Sequence, residues 1–349
     1  EEALTASQLQ VDIQRQLVAQ IQVDPTKNLA ISLHNLSARL SDLGHREEAL
    51  SVIQEAVSIY CDLARARPAA FNPDLASSLN SLSINLSALG RKEEALSVIQ
   101  ESVSIYHDLA RVRPAAFNPD LASSLNNLSI NLSDLGRKEE ALSTIQEAVS
   151  IYCDLARARP AAFNPALASS LNNLSVDLSD FGHKEEALSV IQESVSIYHD
   201  LARARPAVFN PDLANSLNSL SINLSALGRK EEALSVIQES VSIFHDLAKA
   251  RPAVFNPDLA NSLHSLSARL SALGRKEEAL STIQESVSMR RDLARARPAA
   301  FNFDLASSLN SLSARFSDLG RKEEALSTIQ ESISIRCDLA RIRPAAFTP

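Results

Sequence analysis

Residues 72–117 read NPDLASSLNSLSINLSALGRKEEALSVIQESVSIYHDLARVRPAAF, and nearly the same 46 letters recur along the 349-residue chain. All seven glycines lie 46 residues apart, from Gly44 to Gly320. A repeat period of roughly 20 to 50 residues is typical of solenoids, propellers and arrays. The sequence therefore predicts one tandem array, rather than the two or three globular domains that its length alone suggests.

The first half of each unit has the spacing of an amphipathic helix, which we term helix A. Leu75, Leu79 and Leu82 begin a series of leucines three and four residues apart, and this spacing marks one apolar helix face. Asn72 is a favourable N-cap, and Pro73 is a favourable first helical residue. We therefore predict that helix A begins at Asn72 and Pro73.

The second half of the unit predicts another helix, helix B. Gly90 supplies the left-handed residue that ends helix A. Glu93 and Glu94 follow at once, where negative charge suits a helix N-terminus, and Pro114 stops helix B. The predicted apolar face of helix B comprises Ala95, Leu96, Ile99, Val103, Tyr106, Leu109 and Ala110.

Two helices joined by so short a turn pack antiparallel. The predicted fold is all-α: a right-handed α-solenoid of fifteen helices, with one orphan helix B followed by seven A/B pairs. The whole chain, residues 1–349, is predicted to be a single repeat domain. It divides into a partial degenerate repeat at 1–25 and full repeats at 26–71, 72–117, 118–163, 164–209, 210–255, 256–301 and 302–347.

The segment between repeats has one apolar anchor, Phe71 and its equivalents. We predict that this ring packs between successive repeats; the alternative is an exposed aromatic that binds a ligand. The equivalent residues are Phe117, Phe163, Phe209, Phe255, Phe301 and Phe347.

Both ends of the sequence fall inside a repeat. Glu1 to Leu4 read EEAL, in register with Glu47 to Leu50, and the last letters are PAAFTP, where a further helix A is due. Solenoids normally end in polar capping repeats. We therefore expect the chain to be a fragment of a longer protein, with two apolar ends that favour end-to-end self-association.

The run LGRKEEALSVIQESVSI, residues 89–105, resembles the core of a tetratricopeptide repeat. It has a glycine at the helix turn, small Ala95 where the helices cross, then larger Ile99 and small Ser102. Residues 120–136, DLASSLNNLSINLSDLG, resemble helix A of the kinesin-light-chain subtype, whose units are also longer than the standard ones. Near-identical units of this kind also resemble repeat tails of large fungal and bacterial signalling proteins that carry a nucleotide-binding or protease-like module.

Composition excludes several functions. A net charge of −8 and a pI near 5.5 argue against nucleic-acid binding, which needs a basic stripe. The sequence has no run of about 18 apolar residues, so we expect no membrane span, and it has no charged start followed by an apolar run, so we expect no secretory signal. Three cysteines are too few for a disulfide framework. The sequence predicts a cytoplasmic protein.

One column of helix B contains potential metal ligands, but we predict neither a metal nor a cofactor. Equivalent helices of neighbouring repeats lie roughly 8 to 10 Å apart, whereas ligands must approach zinc within about 2.3 Å. Nor do we predict an enzyme, because the serines recur at the same positions in every unit and no unique nucleophile stands out. The column comprises Cys61, His107, Cys153, His199, His245, Arg291 and Cys337.

The remaining candidate for function is the surface of helix A. Ser77, Asn80 and Ile84 share one face by their spacing, and the tetratricopeptide resemblance implies that this face lines a concave groove. A ladder of amides can hold the backbone of an extended peptide; the alternative is that it merely solvates the helices. The ladder comprises Asn80, Asn126, Asn172, Asn218 and Asn310, with His34 and His264 at the same position.

Differences between repeats add charge to this predicted groove. Asp134, Asp177 and Asp180 are expected to meet basic ligand side chains, whereas Arg269 and Arg315 are expected to meet acidic ones. The chain is thus predicted to be a scaffold that binds a protein or peptide. The alternative is a structural spacer or self-assembling rod that binds nothing in its groove.

Overall fold

The computed structural model describes residues 2–20 and 25–342, which form fifteen α-helices and no strand. Their bounds are α1 Glu2–Gln20, α2 Pro25–Asp42, α3 Arg46–Ala66, α4 Pro68–Ala88, α5 Lys92–Val112, α6 Pro114–Asp134, α7 Lys138–Ala158, α8 Pro160–Asp180, α9 Lys184–Ala204, α10 Pro206–Ala226, α11 Lys230–Ala250, α12 Pro252–Ala272, α13 Lys276–Ala296, α14 Pro298–Asp318 and α15 Lys322–Ile342. Even-numbered helices are helices A and odd-numbered ones helices B, so repeat 1 is α2 with α3 and repeat 7 is α14 with α15. The predicted all-α repeat fold is confirmed.

The chain divides into two compact units, Glu1–Asp177 and Leu178–Pro349. In the first unit each helix packs on the next from α1 to α7, and α4 also contacts α2 and α6. In the second unit the same succession runs from α9 to α15, and α12 also contacts α10 and α14. Within each unit, therefore, helices A of successive repeats lie side by side. The right-handed sense and the single domain stay predictions.

The turn from helix A to helix B has the geometry of a Schellman motif. Gly90 has φ +78°, and its N–H donates to the carbonyl of Ser87 at 2.9 Å. The N–H of Arg91 donates to the carbonyl of Leu86 at 3.0 Å. These bonds satisfy carbonyls that the helix end leaves without partners, and only glycine adopts a positive φ without strain.

The predicted start of helix A at Asn72 and Pro73 is wrong. Helix α4 begins at Pro68, and Arg67 alone separates it from α3. Pro68 takes the first helical position, while Pro73 lies inside the helix, where it has no N–H to donate to the carbonyl four residues earlier. The carbonyl of Arg67 accepts a hydrogen bond from the N–H of Phe71 at 3.2 Å. The segment that is predicted to lie between repeats is therefore the first turn of helix A.

The aromatic anchor packs as predicted. Phe71 is buried, and the guanidinium of Arg67 lies 4.9 Å from the centre of its ring. Phe117, Phe209 and Phe255 are likewise buried, and each has the corresponding arginine over its ring at 4.8 to 4.9 Å. Phe347 lies outside the described residues. The stacked arginine covers the ring where the junction meets solvent.

Small residues let the helices of each pair approach closely. Ala95 and Ile99 are fully buried against helix A of the same repeat, as the family resemblance implied. The hydroxyl of buried Ser102 donates to the carbonyl of Ala76 at 2.8 Å, and Ser240, Ser286 and Ser332 repeat this bond. These serines therefore have a structural role within each pair. In the described part of the chain, no helix is long and apolar enough to cross a membrane.

Candidate functional site

One face of each helix A is left uncovered by its neighbours, and we call it the open face. Ser77, Ile84 and Ala88 lie exposed on it, and Ile84 keeps 47% of its surface accessible. The position of Ile84 is aliphatic in every repeat. It is Ile84, Ile130, Val176 and Ile222 in repeats 2 to 5, and alanine at Ala38, Ala268 and Ala314 in repeats 1, 6 and 7.

Shallow pockets lie between neighbouring open faces in the first unit. A pocket of about 240 Å³ between α4 and α6 is walled by Ile84 and Ile130, with Asn127 and Asn131 also in contact with it. A pocket of about 200 Å³ between α2 and α4 includes His34. Each pocket combines aliphatic walls with a few polar groups, which is the usual make-up of a binding site.

The predicted asparagine ladder is half-buried, and part of it joins one repeat to the next. Asn80 Oδ1 accepts a hydrogen bond from Asn127 Nδ2 at 2.9 Å, and Asn126 Oδ1 accepts one from Asn173 Nδ2 at 3.1 Å. Asn127 and Asn173 were missed from the sequence, although an asparagine recurs one residue after the ladder in these repeats. The side-chain oxygens of Asn80 and Asn126 are therefore already hydrogen-bonded within the protein.

The other ladder residues lack this bond. Asn172 Oδ1 and Asn218 Oδ1 are buried without a hydrogen-bond partner. Ser219 and Ser265 stand where Asn127 and Asn173 stand in the earlier repeats. Asn310 is half-buried on α14.

The two histidines of the ladder bridge to serines of the next helix A. His34 Nδ1 lies 3.1 Å from Ser78 Oγ, and His264 Nδ1 lies 3.1 Å from Ser308 Oγ. Burial lowers the pKa of both imidazoles. The pKa of His264 falls to about 4, first because of burial and then because Arg290 and Arg315 repel the imidazolium.

Arg290 of α13 is a buried arginine at the position of Tyr60 in repeat 1. Its guanidinium donates to the carbonyl of Asp304 at 2.8 Å, to Asn261 Oδ1 at 2.5 Å and to the hydroxyl of Ser308. Neutral acceptors thus hold the charge, and desolvation lowers the pKa of the guanidinium. A buried charge at this position sets repeat 6 apart from the earlier repeats, which have tyrosine or phenylalanine there.

One predicted groove position is buried instead of exposed. Asp177 and its equivalents Asn85, Asn131 and Asn223 retain 3 to 8% of their surface, because this position faces the neighbouring helix A. Asn85 Nδ2, for example, donates to Ser37 Oγ of the preceding helix A at 3.2 Å. The predicted contact of Asp177 with a basic ligand requires an exposed carboxylate. The structure buries Asp177 instead.

Two of these buried asparagines have an unpartnered oxygen. Asn131 Nδ2 donates to the carbonyl of Asn127 at 2.8 Å, and Asn223 Nδ2 donates to that of Ser219 at 3.0 Å. These bonds orient both amides, and Oδ1 of each is buried without a partner. Asn131 also lines the pocket between Ile84 and Ile130.

Arginine replaces asparagine at this position in repeats 1, 6 and 7. Arg39 and Arg315 each lie near an aspartate three residues later, Asp42 at 3.9 Å and Asp318 at 3.4 Å. Arg269 is half-buried, and its Nε is buried without a partner. Desolvation lowers the pKa of the Arg269 guanidinium.

The predicted acidic residue Asp134 lies at the C-terminus of α6 and already has a cation. Lys92 Nζ, at the start of helix B of the preceding repeat, lies 3.5 Å from its carboxylate and 3.1 Å from its backbone carbonyl. Lys230 and Lys276 make the same carbonyl bond to Ala272 and Asp318, at 3.0 and 2.9 Å. A lysine thus caps the next helix A. Asp180 is exposed at the equivalent position.

Basic residues at the position of the column of potential metal ligands on helix B lie near glutamates of the next repeat. Arg15 pairs with Glu55 at 2.5 Å and Arg291 with Glu331 at 2.6 Å. At the same position His107 lies 3.7 Å from Glu147, and His199 lies 3.8 Å from Glu239. Among the described residues, no group of three or more histidine, cysteine or acidic side chains is placed to hold a metal ion.

Known proteins match both the repeat and the fold. The tetratricopeptide repeat family matches seven segments, one in each repeat: residues 29–64, 75–110, 121–156, 167–202, 213–247, 259–294 and 305–340. No curated protein matches the chain.

Three solved structures match the chain, and the first two have TM-scores above 0.5. BtubC (BKLC) from P. vanneervenii is 16% identical, with 71% of this chain and 92% of that chain covered and a TM-score of 0.57. The Rap conjugation gene regulator of the plasmid pLS20, in complex with the Phr* peptide, is 14% identical, with 93% and 77% covered and a TM-score of 0.58. A putative kinesin light chain from Podosopora anserina with nearly identical TPR-like repeats is 18% identical, with 63% and 96% covered and a TM-score of 0.48.

Proposed function

The chain belongs to the tetratricopeptide repeat family, and from this premise we propose that it is a scaffold that binds extended protein segments on the open faces of its helices A. The resemblance to repeat tails supports a further step: the array serves as the recognition arm of a larger signalling protein. We propose that its partner is a protein or peptide and that it acts in the cytoplasm.

The observation that carries this proposal is the position of the unpartnered polar atoms. Buried polar groups in native proteins nearly always have a hydrogen-bond partner, so each exception needs a cause. All the buried side-chain atoms without a partner in the described residues lie on helices A, at the positions of Asn80 and Asn85, four residues before and one residue after the exposed position of Ile84. They are the Oδ1 atoms of Asn131, Asn172, Asn218 and Asn223, and Nε of Arg269. Bound segments would supply the missing partners to Asn172, Asn218 and Arg269, which are half-buried, and to Asn131, which lines the pocket between α4 and α6.

The aliphatic side chains of the open face support the same proposal. Ile84, Ile130 and Val176 recur once in each of repeats 2 to 4 and remain 42 to 47% exposed. Neighbouring helices lie roughly 8 to 10 Å apart, and an extended chain rises about 3.3 Å per residue. Each repeat therefore spans about three residues of a ligand.

The Rap regulator supports the proposal at the level of fold. That structure contains a bound Phr* peptide, and the similarity covers 93% of the present chain. A helical array of this architecture therefore has the form of a peptide-binding surface. The ligand of the present chain is set by its own residues.

A first test replaces the aliphatic residues of the open face. We expect Ile84→Ser with Ile130→Ser to weaken binding of a peptide selected from a random library against the native chain by at least about tenfold, since each buried aliphatic side chain contributes about 1.5 kcal/mol or more. The fold should remain, because both side chains are largely exposed. Val112→Ser, 76% exposed at the end of α5, is the matched control. Calorimetric titration gives the affinities; equal affinity for the double variant and the control contradicts the proposal.

The asparagines allow a second test with two matched pairs. We expect Asn172→Ala with Asn218→Ala to weaken binding of the same peptide without loss of stability, because their Oδ1 atoms bind nothing within the protein. Asn80→Ala with Asn126→Ala removes two bonds between repeats and should lower the free energy of unfolding by about 0.5 to 1.5 kcal/mol per bond. Titration and urea denaturation separate the two effects. If neither pair alters binding, the asparagines only solvate the helices. That result favours the structural spacer over the peptide-binding scaffold.

The self-assembling rod remains the second candidate, and the exposed face of α15 favours it. Leu326 and Ile333 are 59% and 53% exposed, whereas their equivalents in α5 are buried. The other end differs from expectation, because α1 carries Ser7 where the other helices B carry isoleucine, and Gln14 where five of them carry tyrosine or phenylalanine. End-to-end association therefore lacks two matching apolar ends.

Leu326→Glu tests that candidate. If the α15 face joins molecules, we expect this substitution to shift sedimentation from oligomer to monomer at high protein concentration, because a carboxylate would be buried in an apolar contact. Glu323→Gln in the first turn of α15 serves as the control. A native chain that already sediments as a monomer at every concentration rules out the rod.

A further inference from the structure

Arg39, Arg269 and Arg315 occupy the same helix A position in three repeats, but their surroundings differ at one residue. Three residues after Arg39 and Arg315 stands an aspartate, Asp42 or Asp318, within 3.4 to 3.9 Å of the guanidinium. Three residues after Arg269 stands Ala272. Residues three apart on a helix are neighbours, so repeat 6 lacks the carboxylate that pairs with its arginine elsewhere.

A second cation approaches the same place. In repeat 3 the aspartate at this position, Asp134, is met by Lys92 from the preceding repeat at 3.5 Å. In repeat 6 the equivalent Lys230 donates to the backbone carbonyl of Ala272 at 3.0 Å, so its ammonium lies beside the residue that replaces the aspartate. Two cations thus flank Ala272, and no carboxylate in the described residues pairs with Arg269.

This combination occurs in repeat 6 alone among the described repeats. Ala88 and Ala226 also replace the aspartate in repeats 2 and 5, but asparagine stands there in place of the arginine, as Asn85 and Asn223. Repeats 1 and 7 have the arginine together with its aspartate. The missing charge in repeat 6 is therefore not a general property of the repeat.

Two further features favour an external ligand. Nε of Arg269 is buried and unpartnered, so one donor of the guanidinium is held away from water with nothing to receive it. The preceding residue is Ala268, where repeats 2 to 5 have isoleucine or valine. Alanine is smaller than either of these side chains and therefore occupies less of the open face beside Arg269.

We propose that Arg269 and Lys230 bind a carboxylate side chain of an acidic peptide segment, in the place that aspartate occupies in repeats 3 and 7. The inference rests on the proposed function, because it assigns one ligand group to the open face of α12. Arginine suits this role, since its planar guanidinium donates two parallel hydrogen bonds to a carboxylate.

The decisive variant supplies the missing carboxylate from within. Ala272→Asp recreates the arrangement of repeat 7 and should occupy both cations. Ala226→Asp is the matched control, because it makes the same change in repeat 5, where no arginine is present. The probe is a hexapeptide of glutamate, with a hexapeptide of glutamine as its neutral counterpart, titrated into the full chain while the arginine Nε–H signals are followed by NMR.

We expect the glutamate peptide to shift the Nε–H signal of Arg269, which is assigned by its absence in Arg269→Gln. The apparent affinity should fall at least about tenfold in Ala272→Asp and stay unchanged in Ala226→Asp, since the new carboxylate accepts the hydrogen bonds that both cations would donate to the peptide. The glutamine peptide should give no shift. Equal binding to both Asp variants, or no shift with glutamate, overturns the inference.

Two further arms distinguish a site for a peptide carboxylate from a general anion site. Inorganic phosphate is titrated in parallel, and a shift with phosphate but none with the glutamate peptide overturns the assignment of a peptide carboxylate. Asp318→Ala should release Arg315 from its aspartate, so that the Nε–H signal of Arg315 also shifts with the glutamate peptide. If that second signal does not shift, the result counts against the inference. The Ile84→Ser and Ile130→Ser variants test peptide binding on the open face independently of Arg269. Peptide binding can therefore be confirmed there even if the carboxylate site at Arg269 is not.

Discussion

Phe209→Ala is expected to lower the free energy of unfolding by about 3 to 5 kcal/mol, the range for removing a buried phenylalanine. The ring is 6% exposed, and it packs at the junction between α9 and α10 with Arg205 at 4.8 Å from its centre. Its removal leaves a cavity and strips the arginine of its contact. Repeat arrays are stabilised largely by such contacts between neighbours, so the loss should be felt across the junction.

The same chain offers a matched control for Phe209. Phe303 of α14 is another phenylalanine of helix A but is 56% exposed, so Phe303→Ala should change stability by less than about 0.5 kcal/mol. Urea denaturation followed by circular dichroism gives both values, and hydrogen exchange shows whether α9 and α10 open first. A similar small loss in both variants would mean that the ring does not anchor the junction.

A second large effect is expected from His264 when the pH falls. The pKa of its imidazole is about 4 in the folded protein, against 6.5 without the surrounding structure. Between these values the unfolded chain binds a proton that the folded chain does not, so stability is full above pH 6.5 and declines as the pH falls towards 4. The difference corresponds to about 3 kcal/mol of unfolding free energy.

His264→Asn isolates this contribution. Asparagine occupies the same position in repeats 2 to 5, and it does not titrate. Urea midpoints measured from pH 7 to pH 4 should fall less in the variant than in the native chain, and the difference between the two curves should develop over the window from 6.5 to 4. Other titrating groups, including His34 with its lowered pKa, act equally in both proteins. Parallel curves would show that His264 does not titrate as expected.

The sequence predicted helix B well because its limits depend on local signals. Glu93 and Glu94 lie in the first turn of α5, and Pro114 follows its end, as expected. Helix A was harder, since Asn72 with Pro73 and Arg67 with Pro68 are both plausible starts. Tertiary packing decides between them, because Phe71 is buried within a helical first turn.

The candidate site was only partly accessible from the sequence. The helical period placed Ile84 on an uncovered face correctly, but it gave no distance between neighbouring helices A. Asp177 was therefore predicted to lie in the groove, although the adjacent helix buries it. The unpartnered state of Arg269 Nε is likewise a property of packing, whereas the absence of an aspartate at Ala272 was visible in the sequence.

The lysine that caps the next helix A has a consequence for how such a chain changes in evolution. Lys230 and Lys276 require no particular side chain at the helix end, since each donates to a backbone carbonyl that every residue possesses. A gene duplication or deletion that shifts the chain by whole 46-residue units therefore rejoins compatible surfaces. Selection can then lengthen or shorten the array, and with it the stretch of ligand that it reads, while substitutions at the open face diverge from unit to unit.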